Sequence, residues 1–163
     1  MTKFIATFFY VGLLRPAPGT WGSLAALPAA WAIHAAFGVI GFALAIPAVF
    51  LIGWWATKIE TDGTDDHDPS EIVIDEVAGQ WIALLPIIIG AAHAEANLLA
   101  MWPGWVTAFL GFRFFDITKF GPIGWADQRA DALGVMLDDV IAGLFAAILV
   151  VLMAGFFHGA LMP

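Results

Sequence analysis

The sequence predicts an all-α membrane protein, a polytopic bundle of about four to five embedded helices with polar loops on the cytoplasmic side. The first indication is composition: 61% of the 163 residues are hydrophobic, 12% are charged, and the mean hydropathy is +0.89. Soluble domains usually carry about 25% charged residues. The second is a series of long apolar runs, and the third is that charge gathers on one side of them. The length suits a single domain, which we expect to cover residues 1–163.

Five apolar runs follow one another along the chain. Spanning a bilayer takes about 20 mostly apolar residues, in a range of roughly 17–25. The second and last runs reach this range, whereas the third is short and is expected to dip into the bilayer or to lie buried. Before the first run, residues 1–14 are apolar with one Lys, and we expect an interfacial helix there. The predicted spans are residues 21–37, 39–55, 77–92, 98–115 and 140–157.

The charged residues lie almost entirely on one side of a chain that crosses the membrane at each run. All six basic residues and every acidic residue except Glu95 fall on that side. Lys and Arg in short loops mark the cytoplasmic face, so we predict that the N-terminus and the polar segments are cytoplasmic. A purely structural anchor has no need for so many acids beside a few bases at one face. The basic residues are Lys3, Arg15, Lys58, Arg113, Lys119 and Arg129.

Residues 18–23, at the start of the first run, are a candidate anion site. The prolines disfavour helix upstream, and Thr20 can cap the helix that follows. Free backbone N–H groups at a helix start favour anions, and the glycines let a phosphate approach the backbone closely. We therefore predict that Gly19, Thr20 and Ser23 bind phosphate. The alternative is an ordinary capped helix start.

Two pairs of adjacent acids open two of the apolar runs. Asp75 and Glu76 precede the third run, and Asp138 and Asp139 precede the last. Capping a helix needs one acid rather than two, and an ionisable group at membrane depth is costly, so each second acid is a candidate for function. If the two helices are neighbours, four carboxylates meet and need a cation to neutralise them. Mg²⁺ prefers oxygen ligands and also bridges to substrate phosphate, so we predict that these four acids bind Mg²⁺.

A glycine follows each acid pair one helical turn later. Gly79 follows the first pair and Gly143 the second. A glycine at such a position lets a neighbouring helix approach closely. The similarity between the two segments is weak evidence for an internal duplication.

Arg113, Asp116 and Lys119 recur at intervals of three residues, so on a helix they share one face. In the functional interpretation, Arg113 and Lys119 bind phosphate oxygens while Asp116 orients them or binds metal. The alternative is a salt-bridged helix end whose basic side chains reach toward the membrane interface.

Several other functions fit the sequence less well. The chain has no cysteine, which excludes a thiolate nucleophile and Cys-ligated zinc. The acidic stretch 57–71 lacks the spacing of a calcium-binding loop, so we expect a solvated loop. Asp127 and Asp131 have the acid spacing of CDP-alcohol phosphotransferases, but the rest of that motif is missing. A divalent-cation transporter is a further alternative, although its acids would lie at one face and Arg113 would repel cations.

Four motifs, in order over about residues 12–145, closely resemble those of the phosphatidylglycerophosphatase A family. Phe120-Gly121 after Lys119 and Ala132-Leu133 before Gly134 depart from the usual family pattern. The matching motifs are Pro18-Gly19-Thr20 with Gly22-Ser23, Glu71-Ile72-Val73 with Asp75-Glu76 and Gly79, Phe112-Arg113 with Asp116, Lys119 and Pro122-Ile123, and Gly134 with Met136, Asp138-Asp139 and Ala142-Gly143.

The resemblance implies a Mg²⁺-dependent lipid phosphatase of the bacterial inner membrane. Such an enzyme removes the terminal phosphate of phosphatidylglycerophosphate to give phosphatidylglycerol, in glycerophospholipid biosynthesis. We therefore expect an active site on the cytoplasmic side, an anionic phospholipid of the bilayer as partner, and no nucleic acid. The expected catalytic residues are Asp75, Glu76, Arg113, Asp116, Lys119, Asp138 and Asp139.

Overall fold

The computed structural model describes residues 1–64 and 66–161, with side chains described up to Phe157 in the last helix. These residues form helices joined by short turns and contain no strand, so the predicted all-α class is confirmed. Four of the helices are long and apolar enough to cross a membrane. The α-helices are α1 (Thr2–Ala6), α2 (Pro18–Thr61), α3 (Ile74–His93), α4 (Trp102–Thr118), α5 (Pro122–Asp127) and α6 (Ala132–Leu161), with 3-10 turns at Val11–Leu13 and Leu98–Met101.

Helix α2 folds back on itself at Gly38. A straight helix of 44 residues would be roughly 66 Å long, about twice the hydrocarbon thickness of a bilayer. Gly38 has φ +66° and ψ −168°, a conformation outside the helical region that glycine adopts without strain. Gly22 in the first half contacts Val73, and Gly53 in the second half contacts Ile74, so both ends of α2 meet the start of α3. Two of the five predicted spans are therefore the two halves of one helix.

Helix α3 lies at the centre of the bundle. In its most apolar 18-residue window 67% of the residues are buried, against 6% for α2 and 22% each for α4 and α6. Trp81 fixes both halves of α2 against it: its indole N–H donates to the Ala26 carbonyl at 2.9 Å, and its ring lies 5.8 Å from that of Phe42. Of the two alternatives expected for the third apolar run, dipping into the bilayer or lying buried, the structure shows burial, because neighbouring helices cover it.

Helices α3 and α6 approach closely through the two glycines. A Cβ added to Gly79 would lie 2.5 Å from the Asp139 carbonyl oxygen, and one added to Gly143 would collide with the Gly79 carbonyl. Because each glycine lies one turn after an acid pair, this contact brings the two pairs to the same end of the bundle. Helices α3 and α6 are therefore neighbours, which the predicted metal site between the two acid pairs requires.

The N-terminal segment differs from the single interfacial helix that the sequence led us to expect. Only residues 2–6 and a turn at Val11–Leu13 are helical. The segment is tied to the chain that enters α3: the Ala6 carbonyl accepts from the Val73 N–H at 2.9 Å, and Lys3 pairs with Glu71 at 2.9 Å. These tertiary contacts replace the continuous helical hydrogen bonds. The segment therefore positions the loop between α2 and α3.

Candidate active site

A cavity of about 320 Å³ opens at the end of the bundle where α2, α3 and α6 begin and α4 ends. Of the ten different residues predicted to be catalytic, metal-binding or phosphate-binding, only Ser23 is absent from the cavity wall. Asp68 and Ser70 from the loop before α3 complete the polar part of the lining. The cavity thus gathers polar groups from five separate segments. The predicted residues that line it are Gly19, Thr20, Asp75, Glu76, Arg113, Asp116, Lys119, Asp138 and Asp139.

The start of α2 presents backbone donors to the cavity. The helix begins at Pro18 with Ala17 as N-cap, so the expectation that Thr20 caps the helix is wrong by three residues. Proline at the first position lacks an N–H, and the Gly19 and Thr20 N–H groups precede the first helical hydrogen bond, which Trp21 donates to Ala17 at 3.1 Å. Gly19 and Thr20 therefore present free N–H groups where the helix dipole favours an anion.

Gly19 is required sterically as well as for its backbone. A Cβ at this position would collide with a Glu76 carboxylate oxygen and lie 3.2 Å from Arg113 Nη1. The absence of a side chain lets the helix start approach both groups. Gly19 is therefore the residue through which the start of α2 contacts Glu76 and Arg113.

Ser23 lies behind the cavity wall instead of in it. It is fully buried, its hydroxyl donates to the Gly19 carbonyl at 2.8 Å, and it accepts from Arg113 Nη1 at 3.5 Å. These contacts link the start of α2 to the guanidinium group. The sequence predicts that Ser23 binds phosphate, but its hydroxyl contacts Arg113 and does not line the cavity.

The acid pair of α3 is arranged with one side chain turned to the backbone and one toward Arg113. Asp75 is buried, and its Oδ1 accepts from the Glu76 N–H at 3.0 Å. Glu76 Oε1 lies 3.9 Å from Arg113 Nη1, while Glu76 Oε2 is buried without a hydrogen-bond partner among the described residues. A buried carboxylate oxygen without a donor is costly, so Glu76 has a free ligand atom.

The acid pair of α6 repeats this arrangement. Asp138 Oδ1 accepts from the Asp139 N–H at 2.9 Å, and both side chains are buried. Asp139 Oδ1 has no hydrogen-bond partner in the described part of the chain. The sequence had suggested that the two acids of a pair have different tasks, and their contacts do differ. Asp138 is neutralised by a short ion pair with Lys119, whereas Asp139 keeps an unsatisfied oxygen.

The carboxylates form two groups of three that share Asp139. One consists of Asp75, Glu76 and Asp139, the other of Asp116, Asp138 and Asp139, and within each group the ligand oxygens lie within 4.8 Å of one another. Unsatisfied oxygens on Glu76 and Asp139 are what a bound cation would satisfy. These donors therefore fit a hard divalent cation. Asp116, which the sequence left between orienting phosphate-binding groups and binding metal, belongs to the second group.

Two basic side chains, Arg113 and Lys119, lie among these acids. Arg113 Nη1 contacts Asp116 Oδ2 at 2.5 Å, so these two residues share one face of α4 as predicted. Lys119 ends α4 with φ +49°, and its Nζ lies 3.3 Å from Asp116 and 3.2 Å from Asp127, beside Asp138. Burial opposes the charge on Lys119, but the carboxylates led by Asp138 outweigh it and raise the pKa of Lys119 above its usual value. Lys119 therefore remains protonated at physiological pH.

Three residues near the cavity were missed from the sequence. Asp127 ends the short helix α5 and holds Lys119 from outside. The stretch 57–71 is a loop only after Thr61, where α2 ends. Asp62, Asp66, Asp68 and Ser70 are exposed there, as expected for a solvated loop, but Asp68 and Ser70 also line the cavity. Asp65, in the same loop, lies outside the described residues. Only the Asp-Pro-Ser sequence at 68–70, a turn signal before α3, could have indicated that the loop bends back here.

Comparison with known proteins places the chain in a family. Residues 4–154 match the family model described as phosphatidylglycerophosphatase A. Phosphatidylglycerophosphatase A of Haemophilus influenzae is 37% identical over 90% of this chain and 84% of its own length, and that of Escherichia coli is 32% identical over 88% and 77%. A Bacteroides thetaiotaomicron protein, provisionally named a phosphatidylinositol-3-phosphatase, is 33% identical over 90% and 89%. No solved structure matches the chain significantly. The resemblance carried by the four motifs is confirmed, and the chain belongs to the phosphatidylglycerophosphatase A family.

Proposed function

We propose that this protein hydrolyses phosphatidylglycerophosphate to phosphatidylglycerol and phosphate, with Mg²⁺ as cofactor, at the cytoplasmic face of a bacterial inner membrane. The observation that carries the proposal is the cavity, in which Arg113, Lys119 and six carboxylates converge at one end of four apolar helices. Basic side chains bind phosphate, and carboxylates bind a metal ion that also contacts the phosphate. The identity of the proposed substrate comes from the family to which the chain belongs.

Five of these six carboxylates, all except Asp68, are the proposed Mg²⁺ ligands. A bound Mg²⁺ would polarise the phosphoryl group and lower the pKa of an attacking water. Asp139 belongs to both groups of acids and so is the central ligand, and its free Oδ1 supports this role. The proposed ligands are Asp75, Glu76, Asp116, Asp138 and Asp139.

The phosphate itself is held by the remaining polar groups of the cavity. Arg113 offers a planar fork that fits two phosphoryl oxygens, and Ser23 fixes one of its nitrogens. Lys119 adds a point charge, and the Gly19 and Thr20 N–H groups face the same space. These donors stabilise the charge that develops on the phosphoryl oxygens as the bond to the glycerol oxygen breaks. Water supplies the new oxygen of phosphate, and the glycerol oxygen leaves with a proton.

The position of the cavity suits a lipid substrate. It lies at helix ends, so the diacylglycerol tails can remain in the bilayer while the headgroup enters. The basic residues lie on the same side by sequence, which favours the cytoplasmic face. We propose that the whole chain acts as one domain, because the cavity uses segments from residue 17 to residue 139.

The alternative functions lack support from the geometry. In a cation transporter, acids would line a path through the bundle, but here they cluster at one end and two basic side chains lie among them. For a CDP-alcohol phosphotransferase, Asp131 would face the site. Instead it pairs with Arg129 at 2.8 Å and accepts from the Gly134 N–H at 2.8 Å at the start of α6. Asp131 is therefore used for local structure.

The test is phosphate release by the purified protein from phosphatidylglycerophosphate in detergent micelles. We expect release with Mg²⁺, loss with EDTA, and recovery when Mg²⁺ is restored in excess. Glu95→Gln, which changes the one acid at the other end of the bundle, is the matched control and should behave as the unaltered protein. Mg²⁺-independent release would reject the metal role, and no release under any condition would reject the substrate.

A further inference from the structure

Three polar residues lie together at the edge of the cavity, outside the groups assigned above. Asp68 and Ser70 line it from the loop before α3. Arg15 Nη1 donates to Ser70 Oγ at 3.3 Å, and Arg15 precedes the lining residue Ala17 by two positions. All three side chains are exposed, so they meet whatever extends out of the cavity.

Arg15 is unusual among the basic residues in its charge environment. Lys3, Arg113, Lys119 and Arg129 each form an ion pair. Within residues 1–64 and 66–161, Arg15 and Lys58 form none, and Arg15 alone of these two contacts a residue of the cavity wall. Among those residues, its side chain has one hydrogen-bond partner, the neutral hydroxyl of Ser70. A guanidinium group without a carboxylate, beside an anion-binding cavity, is available for a second anion.

The proposed substrate carries a second anion close to its reacting phosphate. Beyond the terminal phosphomonoester comes a glycerol unit with one free hydroxyl, and then a phosphodiester that joins it to diacylglycerol. When the monoester is held by Arg113 and Lys119, the glycerol and the diester must lie between the cavity and the bilayer. A carboxylate repels phosphate but accepts a hydrogen bond from a hydroxyl, and a serine can donate or accept.

We propose that Arg15, Ser70 and Asp68 form a headgroup subsite, in which Arg15 binds the phosphodiester and Asp68 and Ser70 bind the glycerol hydroxyl. The inference rests on the proposed function and extends it from the reacting phosphate to the rest of the headgroup. The subsite selects a phosphomonoester that is joined to the lipid through a polyol and a diester. Phosphatidic acid, whose monoester is attached directly to diacylglycerol, cannot reach it.

Competitive inhibition separates the subsite from the catalytic cavity. Phosphatidylglycerol has the diester and the glycerol but no monoester, and phosphatidic acid has the monoester alone. Both are tested as inhibitors of phosphatidylglycerophosphate hydrolysis in detergent micelles at fixed total lipid. Arg15→Ala should raise the inhibition constant of phosphatidylglycerol roughly ten- to hundredfold, the range expected for a lost charge-assisted hydrogen bond. That of phosphatidic acid should change less than about twofold.

Matched variants distinguish the subsite from general charge effects at the membrane. Lys58→Ala removes the other basic residue that forms no ion pair in the described part of the chain, and it should leave both inhibition constants unchanged. Arg15→Lys should recover part of the loss, because the charge remains but the fork does not. Asp68→Asn should weaken phosphatidylglycerol binding. Asp66→Asn should not, since the amide side chain retains an oxygen that can accept from the Asp68 N–H, as Asp66 Oδ1 does at 3.1 Å.

The outcomes separate the two proposals. If the unaltered protein does not hydrolyse phosphatidylglycerophosphate, the proposed function fails before any variant is compared. If it does, and Arg15→Ala shifts both inhibitors equally or neither, the subsite is rejected while the proposed function stands. Thermal stability of each variant in detergent is measured alongside, and the Arg15→Lys comparison keeps the charge at the site while testing the geometry.

Discussion

Gly143 of α6 packs directly against the backbone carbonyl of Gly79 in α3. This contact lies one turn below both acid pairs, and it sets the separation of the two helices that carry them. At larger separation the ligand oxygens of Glu76 and Asp139 could not lie within 4.8 Å of each other. A backbone contact between two glycines thus controls the geometry of the proposed metal site.

Gly143→Ala should therefore lower both stability and activity. The added methyl group meets a backbone carbonyl, which cannot rotate away, and overpacking of this kind costs typically about 1–3 kcal/mol. Thermal unfolding in detergent and phosphate release measure the two effects. Gly155→Ala, in the same helix but with open space around it, is the control and should be neutral or slightly stabilising. Equal behaviour of the two variants would contradict the assigned role of the contact.

Asp139→Asn tests the shared acid of the two carboxylate groups. The change keeps the size and one oxygen but removes the charge, and loss of a metal-site group typically costs about 10–100-fold or more in affinity or activity. We expect phosphate release to fall at least about a hundredfold at saturating Mg²⁺, and Mg²⁺ binding measured by calorimetry to weaken in parallel. The protein should still insert and purify normally. Near-normal turnover would remove Asp139 from the ligand set.

The sequence predicted most of the site because its charged residues lie at the ends of helices. The acid pairs at 75–76 and 138–139 are recognisable where polar residues meet apolar runs, and their following glycines indicated a close helix contact. The spacing of Arg113, Asp116 and Lys119 predicted that they are neighbours, because residues three apart lie on the same face of a helix. All of these side chains line the cavity.

The parts that could not be predicted depend on the paths of loops and the exact start of a helix. Asp68 and Ser70 line the cavity from a loop whose end is held by distant contacts, such as the Val73 N–H with the Ala6 carbonyl, and no local pattern specifies such contacts. The sequence predicts Ser23 as a phosphate ligand because it belongs to the helix start at residues 18–23. In the structure α2 begins at Pro18, and the Ser23 hydroxyl donates to the Gly19 carbonyl and does not line the cavity.

We expect phosphate release to require the guanidinium group of Arg113. Arg113→Lys keeps the charge but loses the fork that contacts Asp116 and Ser23 and that would hold two phosphoryl oxygens. Lysine should therefore restore only part of the kcat/KM that Arg113→Ala loses. Ser23→Ala should lower kcat/KM by a smaller factor, since it removes a positioning contact only. If Arg113→Lys equals the unaltered protein, the arginine serves the membrane interface and not the substrate.

Membrane orientation follows from the one-sided charge and can be tested with single cysteines, because the chain has none of its own. Asp66, in the acidic loop near the cavity, and Glu95, in the loop after α3, are both exposed and lie at opposite ends of that helix. In intact cells, an impermeant thiol reagent added outside should label Glu95→Cys but not Asp66→Cys. Permeabilised cells should give labelling at both positions, which controls for reactivity. Labelling of Asp66→Cys alone in intact cells would reverse the orientation and place the cavity on the outer face, against the positive-inside rule.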